Sequence, residues 1–159
     1  MSNLDRMVAL ADEFFGARAD PDQLVVDADV MEKLRGIHPS TLSEACNEDG
    51  PIAWVLLIPT THQRMERFVR GELGERQLLE IPETGPRFEA LYLCSALVLP
   101  EYRGKGIARR LAADAIEAMV EDFPIKELFV WGFSTEGSAL ARSLARSFAL
   151  PLYERRGAS

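Results

Sequence analysis

Apolar residues at the start of the chain recur at helical spacing. Leu4, Met7, Val8, Ala11, Phe14 and Phe15 predict an amphipathic helix over residues 3–17. A polar break with Pro21 follows, then the short apolar Leu24-Val25-Val26. Asp27 or Asp29 is placed to cap a second helix through about Arg35, with Gly36 as its stop. Residues 41–59 read as a β-hairpin. Asn47-Glu48-Asp49-Gly50 is the turn signal and the run from Pro51 to Pro59 is the second strand. Thr60 or Thr61 then caps a helix through Arg70, stopped by Gly71. A short segment over residues 75–80 and a loop over 81–86 come next.

The second half alternates strand and helix. Residues 88–99 predict a strand. Ile107, Leu111, Ala115, Ile116 and Met119 make one face of a helix that Pro124 ends. Residues 127–133, ELFVWGF, are a buried type of strand. Strand, helix and strand in this length form a βαβ crossover, so the two strands should be parallel and the crossover right-handed. Residues 134–138 read as a turn. Leu140, Leu144 and Phe148 step by four along a last helix that runs to about Ser147, and residues 150–153 suggest a terminal strand.

Composition narrows the picture. At 159 residues the chain is one domain by length, and 47% hydrophobic with 27% charged residues is ordinary for a globular protein. The net charge of −7 carries no signature of a nucleic-acid binder. The charge is uneven. Residues 1–95 hold 17 acids and 9 bases, whereas residues 96–159 hold 8 acids and 9 bases. An acidic first half suits a cationic partner, although solubility alone would also explain it. Cys46 and Cys94 make no disulfide framework. The start MSNLDRMVAL lacks the basic and apolar pattern of a signal peptide, and no apolar run reaches the roughly 18 residues of a membrane span. The expectation is a cytoplasmic protein with no membrane and no nucleic-acid partner. His38 and His62 have no metal-ligand spacing and read as loop or cap residues, so no metal is expected.

The chemistry concentrates between residues 89 and 121. An apolar strand ends at Leu99-Pro100, a basic glycine loop Arg103-Gly104-Lys105-Gly106 follows, and a helix starts directly behind it. Unsatisfied amides at a helix N-terminus, with the helix dipole behind them, hold anions and phosphate above all. Gly104 and Gly106 let oxygens approach the backbone without a Cβ in the way. Arg103, Lys105, Arg109 and Arg110 against Glu101 give a local charge of +3. A P-loop needs Ser or Thr after its Gly-Lys, and Gly106 stands there. A dinucleotide fingerprint needs a small residue where Arg109 stands.

The run VLPEYRGKGIARRL resembles the acetyl-CoA-binding motif of the GNAT N-acetyltransferase superfamily: Arg or Gln, two residues, Gly, one residue, then Gly or Ala. Here the fixed positions are Arg103, Gly106 and Ala108. The good match covers residues 88–150, most tightly 96–119. The resemblance implies an α/β (α+β) fold: a mixed central sheet with helices on both faces and a splayed pair of parallel strands. It implies a pyrophosphate cradle of Arg103, Gly104, Lys105, Gly106, Ile107, Ala108 and Arg109. It implies a bulge near Ala96–Val98 that leaves backbone groups of Leu97 and Val98 for the pantetheine arm. Ser138 sits where many members carry an Asn toward the pantetheine; as a residue, it serves equally well as a helix N-cap.

Two departures bear on mechanism. Ala145 stands where many members carry a Tyr that protonates the leaving thiolate. Tyr92 stands where histone-acetylating members carry a basic Glu. Tyr92, Glu89 and Tyr153 are the candidates for proton handling, beside packing or surface roles. Cys94 reads as a core thiol, since no motif links a histidine to it. The function expected is an acyl-CoA-dependent N-acyltransferase that moves an acetyl group from acetyl-CoA, as co-substrate, to an amine on a small molecule or peptide. The alternative is a degenerate module that binds or senses acyl-CoA without turnover. Residues 61–87, longer and more helical than a plain connection, are expected to wall the acceptor site. A homodimer is compatible with the chain.

Overall fold

The computed structural model describes residues 1–18, 27–80, 87–132 and 134–155. Leu24-Val25-Val26, the loop at 81–86 and Phe133 of the last predicted central strand lie outside them. Five strands form one mixed sheet in the order β1 (Leu42–Asn47), β2 (Gly50–Thr60), β3 (Ala90–Val98), β4 (Glu127–Trp131) and β5 (Leu152–Arg155). The first three are antiparallel neighbours, and β3, β4 and β5 run parallel. The helices are α1 (Asn3–Arg18), α2 (Ala28–Ile37), α3 (His62–Val69), α4 (Ile107–Asp122) and α5 (Thr135–Phe148).

The period of two along the central strands divides the core. Leu56 and Ile58 of β2, Ala90, Tyr92 and Cys94 of β3, and Phe129 and Trp131 of β4 meet Leu34 of α2 and Met65 and Phe68 of α3 on one face. Val55 and Leu57, Leu91 and Leu128 point to the other, where Ala112, Ala115, Ile116 and Met119 of α4 and Leu144 of α5 cover them. Helices therefore lie on both faces, as the resemblance implies. Helix α1 packs Met7 at the far end of β2 and β3, beside Ile52, Leu97 and Leu99.

The caps show where local chemistry set the boundaries. Asp27 is the cap of α2, accepting from the Val30 amide at 2.9 Å. Gly36 does not stop that helix. It takes no left-handed conformation, and α2 runs two residues further, to Ile37, and closes through the His38 amide to the Leu34 carbonyl at 3.2 Å. Thr61 caps α3 by accepting from the Arg64 amide at 3.2 Å, and Gly71 at φ +81° turns the chain out as expected. The segment read as a turn at 134–138 is the first turn of α5. Ser134 caps it, accepting from the Gly137 amide at 3.0 Å, so Ser138 is inside the helix. The terminal strand begins later than expected, at Leu152, because Ala149 in the left-handed region and Pro151 first reverse the chain.

The bulge in β3 also lies elsewhere. The register with β2 jumps between Leu57↔Leu93 and Leu56↔Ser95, which leaves Cys94 as the extra residue. Ala96, Leu97 and Val98 keep an unbroken ladder with Val55, Trp54 and Ala53, so no bulge forms there.

At the opposite end of the sheet His62, the first residue of α3, sits between two carboxylates. Its Nδ1 donates to Glu127 Oε2 at 2.6 Å and its Nε2 to Glu66 Oε1 at 2.5 Å. Two donating ring nitrogens make it an imidazolium. The Glu127 hydrogen bond above all, then Glu66, raises the His62 pKa above its ordinary value of 6.5. A raised folded-state pKa stabilises fully below about pH 6.5 and is lost as pH climbs through the higher folded value. The melting temperature of the wild type should therefore drop relative to His62→Gln as pH rises from 6.5 to 8.5. Parallel curves for the two proteins would show that the triad contributes nothing.

Candidate functional site

β3 stops at Val98, a 3₁₀ turn covers Pro100–Tyr102, and α4 begins at Ile107. Between them Gly104 and Gly106 hold φ of +77° and +75°, the region that costs an L side chain about 1 kcal/mol or more. The first helical bond of α4 runs from the Arg110 amide to the Gly106 carbonyl at 3.0 Å. The amides of Ile107, Ala108 and Arg109 thus have no acceptor within the helix. A Cβ built on Gly104 or on Gly106 meets nothing within 4 Å. The two glycines border open space, and the start of a 16-residue helix faces it.

Side chains fix this loop from one flank. Arg6 of α1 grips Glu101 with two bonds, Nη1 to Oε2 at 2.9 Å and Nη2 to Oε1 at 2.7 Å. The pairing raises the Arg6 pKa and lowers that of Glu101. It also balances the one acid of the loop. Asn47 donates to the Tyr102 hydroxyl at 2.7 Å, and the Lys105 ammonium lies 5.6 Å from the centre of the Tyr102 ring. Arg103 Nε donates to the Val98 carbonyl at 3.0 Å, which folds the loop back along its own strand. Arg109 turns away instead. Its Nε donates to Ser143 Oγ at 3.0 Å and its Nη2 to Ser147 Oγ at 2.5 Å, so the side chain ties α4 to α5 while its amide stays in the loop's cradle.

Beside the cradle the sheet opens. Among the described residues β3 and β4 share four rungs, from Ala90↔Glu127 to Leu93↔Val130, although β3 continues to Val98. The parallel pair is splayed, as the resemblance implies. The Leu99 amide donates to the Ile52 carbonyl at 2.9 Å, so in the antiparallel alternation Leu97 spends its backbone groups on Trp54. Ala96 and Val98 direct theirs to the side where β4 is missing. The Leu97 side chain is buried against α1. Across the gap Ser138 donates to Glu154 Oε1 at 2.8 Å, and a Cβ on Gly132 would stand 3.3 Å from that oxygen.

The candidates for proton handling are scattered. Glu89 lies about 13 Å before the last β3–β4 rung at 3.3 Å per residue. There it is held by Lys126 and Arg87, each at 2.5 Å, which lower its pKa. It is not brought to the gap. Tyr153 is exposed on β5, opposite Phe129. Tyr92 stands one rung before the parting, fully buried, with Phe68 edge-on at 5.0 Å and Phe129 stacked at 4.9 Å. Its hydroxyl donates to Glu75 Oε2 at 2.5 Å, and Cys94 Sγ lies 3.5 Å from the same oxygen. Ala145, at the position where the resemblance led one to expect a tyrosine, is buried in the core. His38 and His62 fill cap and ion-pair positions, with His38 Nε2 bonded to Asp122 at 2.6 Å.

A sequence model of the Acetyltransferase (GNAT) family matches residues 5–157. The chain belongs to this family. Among solved structures it is similar to Naa20 of Chaetomium thermophilum in complex with a bisubstrate analogue, at 19% identity and a TM-score of 0.50. That match covers 84% of this chain and 65% of the other, so the chain spans about two thirds of that protein's length. It is also similar to the aminoglycoside antibiotic 6'-N-acetyltransferase AAC(6')-IG of Acinetobacter haemolyticus, at 17% identity and a TM-score of 0.40, over 92% of this chain and 83% of that one. None of the curated proteins compared with the chain matches it. The likeness to Naa20 is one of fold.

Within this GNAT chain, Glu75 and Glu154 are the polar site residues that sequence reasoning missed. Each meets its partner across 16 or 17 residues of chain, and no motif marks either. Among the described residues no helix is long and apolar enough to cross a membrane, and no group of three metal-ligating side chains assembles. The loop itself yields a stability prediction. Gly106→Ala meets no neighbour, so its cost is backbone strain alone, about 1–2 kcal/mol in urea unfolding. No loss would show that the positive φ is not required in solution.

Proposed function

We propose that the chain transfers the acetyl group of acetyl-CoA to the amino group of a small molecule or peptide. The observation that carries this reading is the pair of glycines at positive φ at the start of α4, bordering open space beside the strand gap. Three unpaired amides, the helix dipole and the charges of Arg103 and Lys105 suit a pyrophosphate, with Gly104, Gly106, Ile107, Ala108 and the Arg109 backbone as its cradle. The Val98 amide and the backbone groups of Ala96 face the open side for the pantetheine amides, while the Val98 carbonyl is taken by Arg103 Nε. Leu97 supports them by anchoring β3 to β2. Ser138, bonded to Glu154, reaches the same gap from α5. The wall toward the acceptor is assigned to residues 61–87, of which Met65, Phe68, Leu78 and Leu79 pack on the Tyr92 face of the sheet.

The bound co-substrate supplies an activated acyl carbon. The chain's contribution is to orient the amine against it and to present amides toward the developing oxyanion. The amine is the nucleophile, so no side chain needs to carry the acyl group. An alkyl ammonium with a pKa near 10.4 must also lose a proton at neutral pH.

A second reading is a module that binds acyl-CoA without turnover, and the buried alanine at position 145 favours it. Calorimetry with acetyl-CoA, combined with a thiol-release assay over a panel of amines, separates the two. Transfer requires binding and acceptor-dependent release, whereas the sensing module binds without release. Gly104→Glu, which places a carboxylate at the cradle, should weaken acetyl-CoA at least about tenfold, the scale of a lost charge-assisted contact. Unchanged affinity in a folded Gly104→Glu protein would remove the cradle from the account.

A further inference from the structure

A cavity of about 440 Å³ lies between α3 and the chain that follows it. Arg64 and Arg67 line it from α3. They are three residues apart, so the helix brings both side chains to one face. Met65 and Phe68, one position on, bury α3 against the sheet. Leu73, Gly74 and Gln77 line the cavity from the other side, with Glu72 and Glu80 at either end of that run.

This second wall is built in place. The Gly74 amide donates to Gln77 Oε1 at 2.8 Å, which leaves the Gln77 NH₂ group as a donor. Arg155 Nη1 donates to the Leu73 carbonyl at 2.8 Å, and its guanidinium lies 4.0 Å from the Trp131 ring centre. The residue after Gly74, Glu75, is fully buried and accepts from the Tyr92 hydroxyl at 2.5 Å. The Glu72 amide donates to the Arg67 carbonyl at 2.8 Å and joins the two walls.

The charges of the cavity do not cancel within it. Glu72 pairs with Arg70, Oε2 to Nε at 2.5 Å. Among the described residues no acid pairs with Arg64 or Arg67, and no base pairs with Glu80. Arg64 Nη1 is buried and has no hydrogen-bond partner. A buried guanidinium nitrogen without an acceptor is destabilising, and native proteins keep such a group where a ligand or an ordered water completes it. The planar fork of an arginine matches the two oxygens of a carboxylate. Glu80 disfavours a dianion and offers a partner to a cation.

We propose that this cavity binds a small amino carboxylate, its carboxylate on Arg64, Arg67 and the Gln77 NH₂ group and its ammonium toward Glu80. The site goes beyond the acetyl transfer proposed above and does not depend on it. An acceptor substrate and a separate effector share this chemistry, and the experiment tells them apart.

The test follows amide shifts of the ¹⁵N-labelled chain during titration with 5-aminopentanoate, with pentylamine and inorganic phosphate as controls. 5-Aminopentanoate should give saturable shifts over residues 64–67 and 72–77, at lower concentration than either control. Arg64→Met and Arg67→Met should each weaken that binding about tenfold or more, the scale of a lost charge-assisted contact. Arg64→Met keeps an apolar stem and loses no partner, so its urea midpoint should be no lower than that of the wild type. Unmoved amides, equal affinity for phosphate, or unchanged affinity in the folded variants overturns the proposal. If Arg64→Met does not fold, Arg67→Met, whose side chain is exposed, carries the same comparison. Thiol release from acetyl-CoA then separates the two sources. A KM for 5-aminopentanoate about tenfold or more below that for pentylamine, lost in Arg67→Met, makes the carboxylate part of the acceptor. Saturable shifts with equal KM values, or with no release, make the ligand a separate effector, and no release defeats the transferase reading while the cavity site stands.

Discussion

Four rungs join β3 to β4, and then the two strands part. The co-substrate site assigned to this chain depends on that limit. Parallel strands normally continue pairing as long as both are extended, because each unmade rung leaves a donor and an acceptor without partners. Here β3 keeps its ladder with β2 through Val98 but takes an extra residue at Cys94. A bulge bends its strand and increases the local twist. The bend carries Ala96 and Val98 away from β4, so their outward backbone groups border a gap instead of a neighbour. The gap opens beside the start of α4, where three amides are likewise unpaired. Backbone groups of Ala96 and the Val98 amide at one strand edge, with the Val98 carbonyl held by Arg103, and three amides at one helix end thus face the same space. That is the arrangement an extended ligand with amides at one end and phosphates at the other requires.

The loop at the mouth is held from outside rather than by the site. Glu101 is matched by Arg6, Tyr102 by Asn47, and Arg109 by two serines of α5. These contacts lie at the surface, and each alone contributes little to stability. Their effect is geometric. They remove the acid from competition for the loop's charge and point Arg109 toward α5. The positive φ at Gly104 and Gly106 completes the turn without a Cβ toward the open space.

Much of this was legible in the sequence because it is local. Apolar spacing at Ile107, Leu111, Ala115 and Ile116 set α4, the Asn47–Gly50 turn set the hairpin, and the glycines of the basic loop marked the cradle. What was not legible depends on distant residues or on competition between neighbours. Ser138 is a sound cap by residue type, but Ser134 caps α5 and Ser138, inside the helix, bonds Glu154. Gly36 is a sound stop signal that α2 overrides to bury Leu34 and bond His38. The bulge falls at Cys94, since Ala96 and Leu97 are worth more packed against β2 and α1. In the sequence Glu75 only opens the short segment over residues 75–80, and no motif marks it. Only the fold brings Tyr92 and Cys94 onto it.

The central claim is that the start of α4 and the open edge of β3 together receive coenzyme A. Amide chemical shifts of the ¹⁵N-labelled chain, followed during titration with coenzyme A, test it residue by residue. The account predicts the largest, saturable changes at residues 104–109, with a second set at Ala96 and Val98 and little at His62 or Glu127. Saturable binding that leaves residues 104–109 unmoved, or no binding at all, would contradict it.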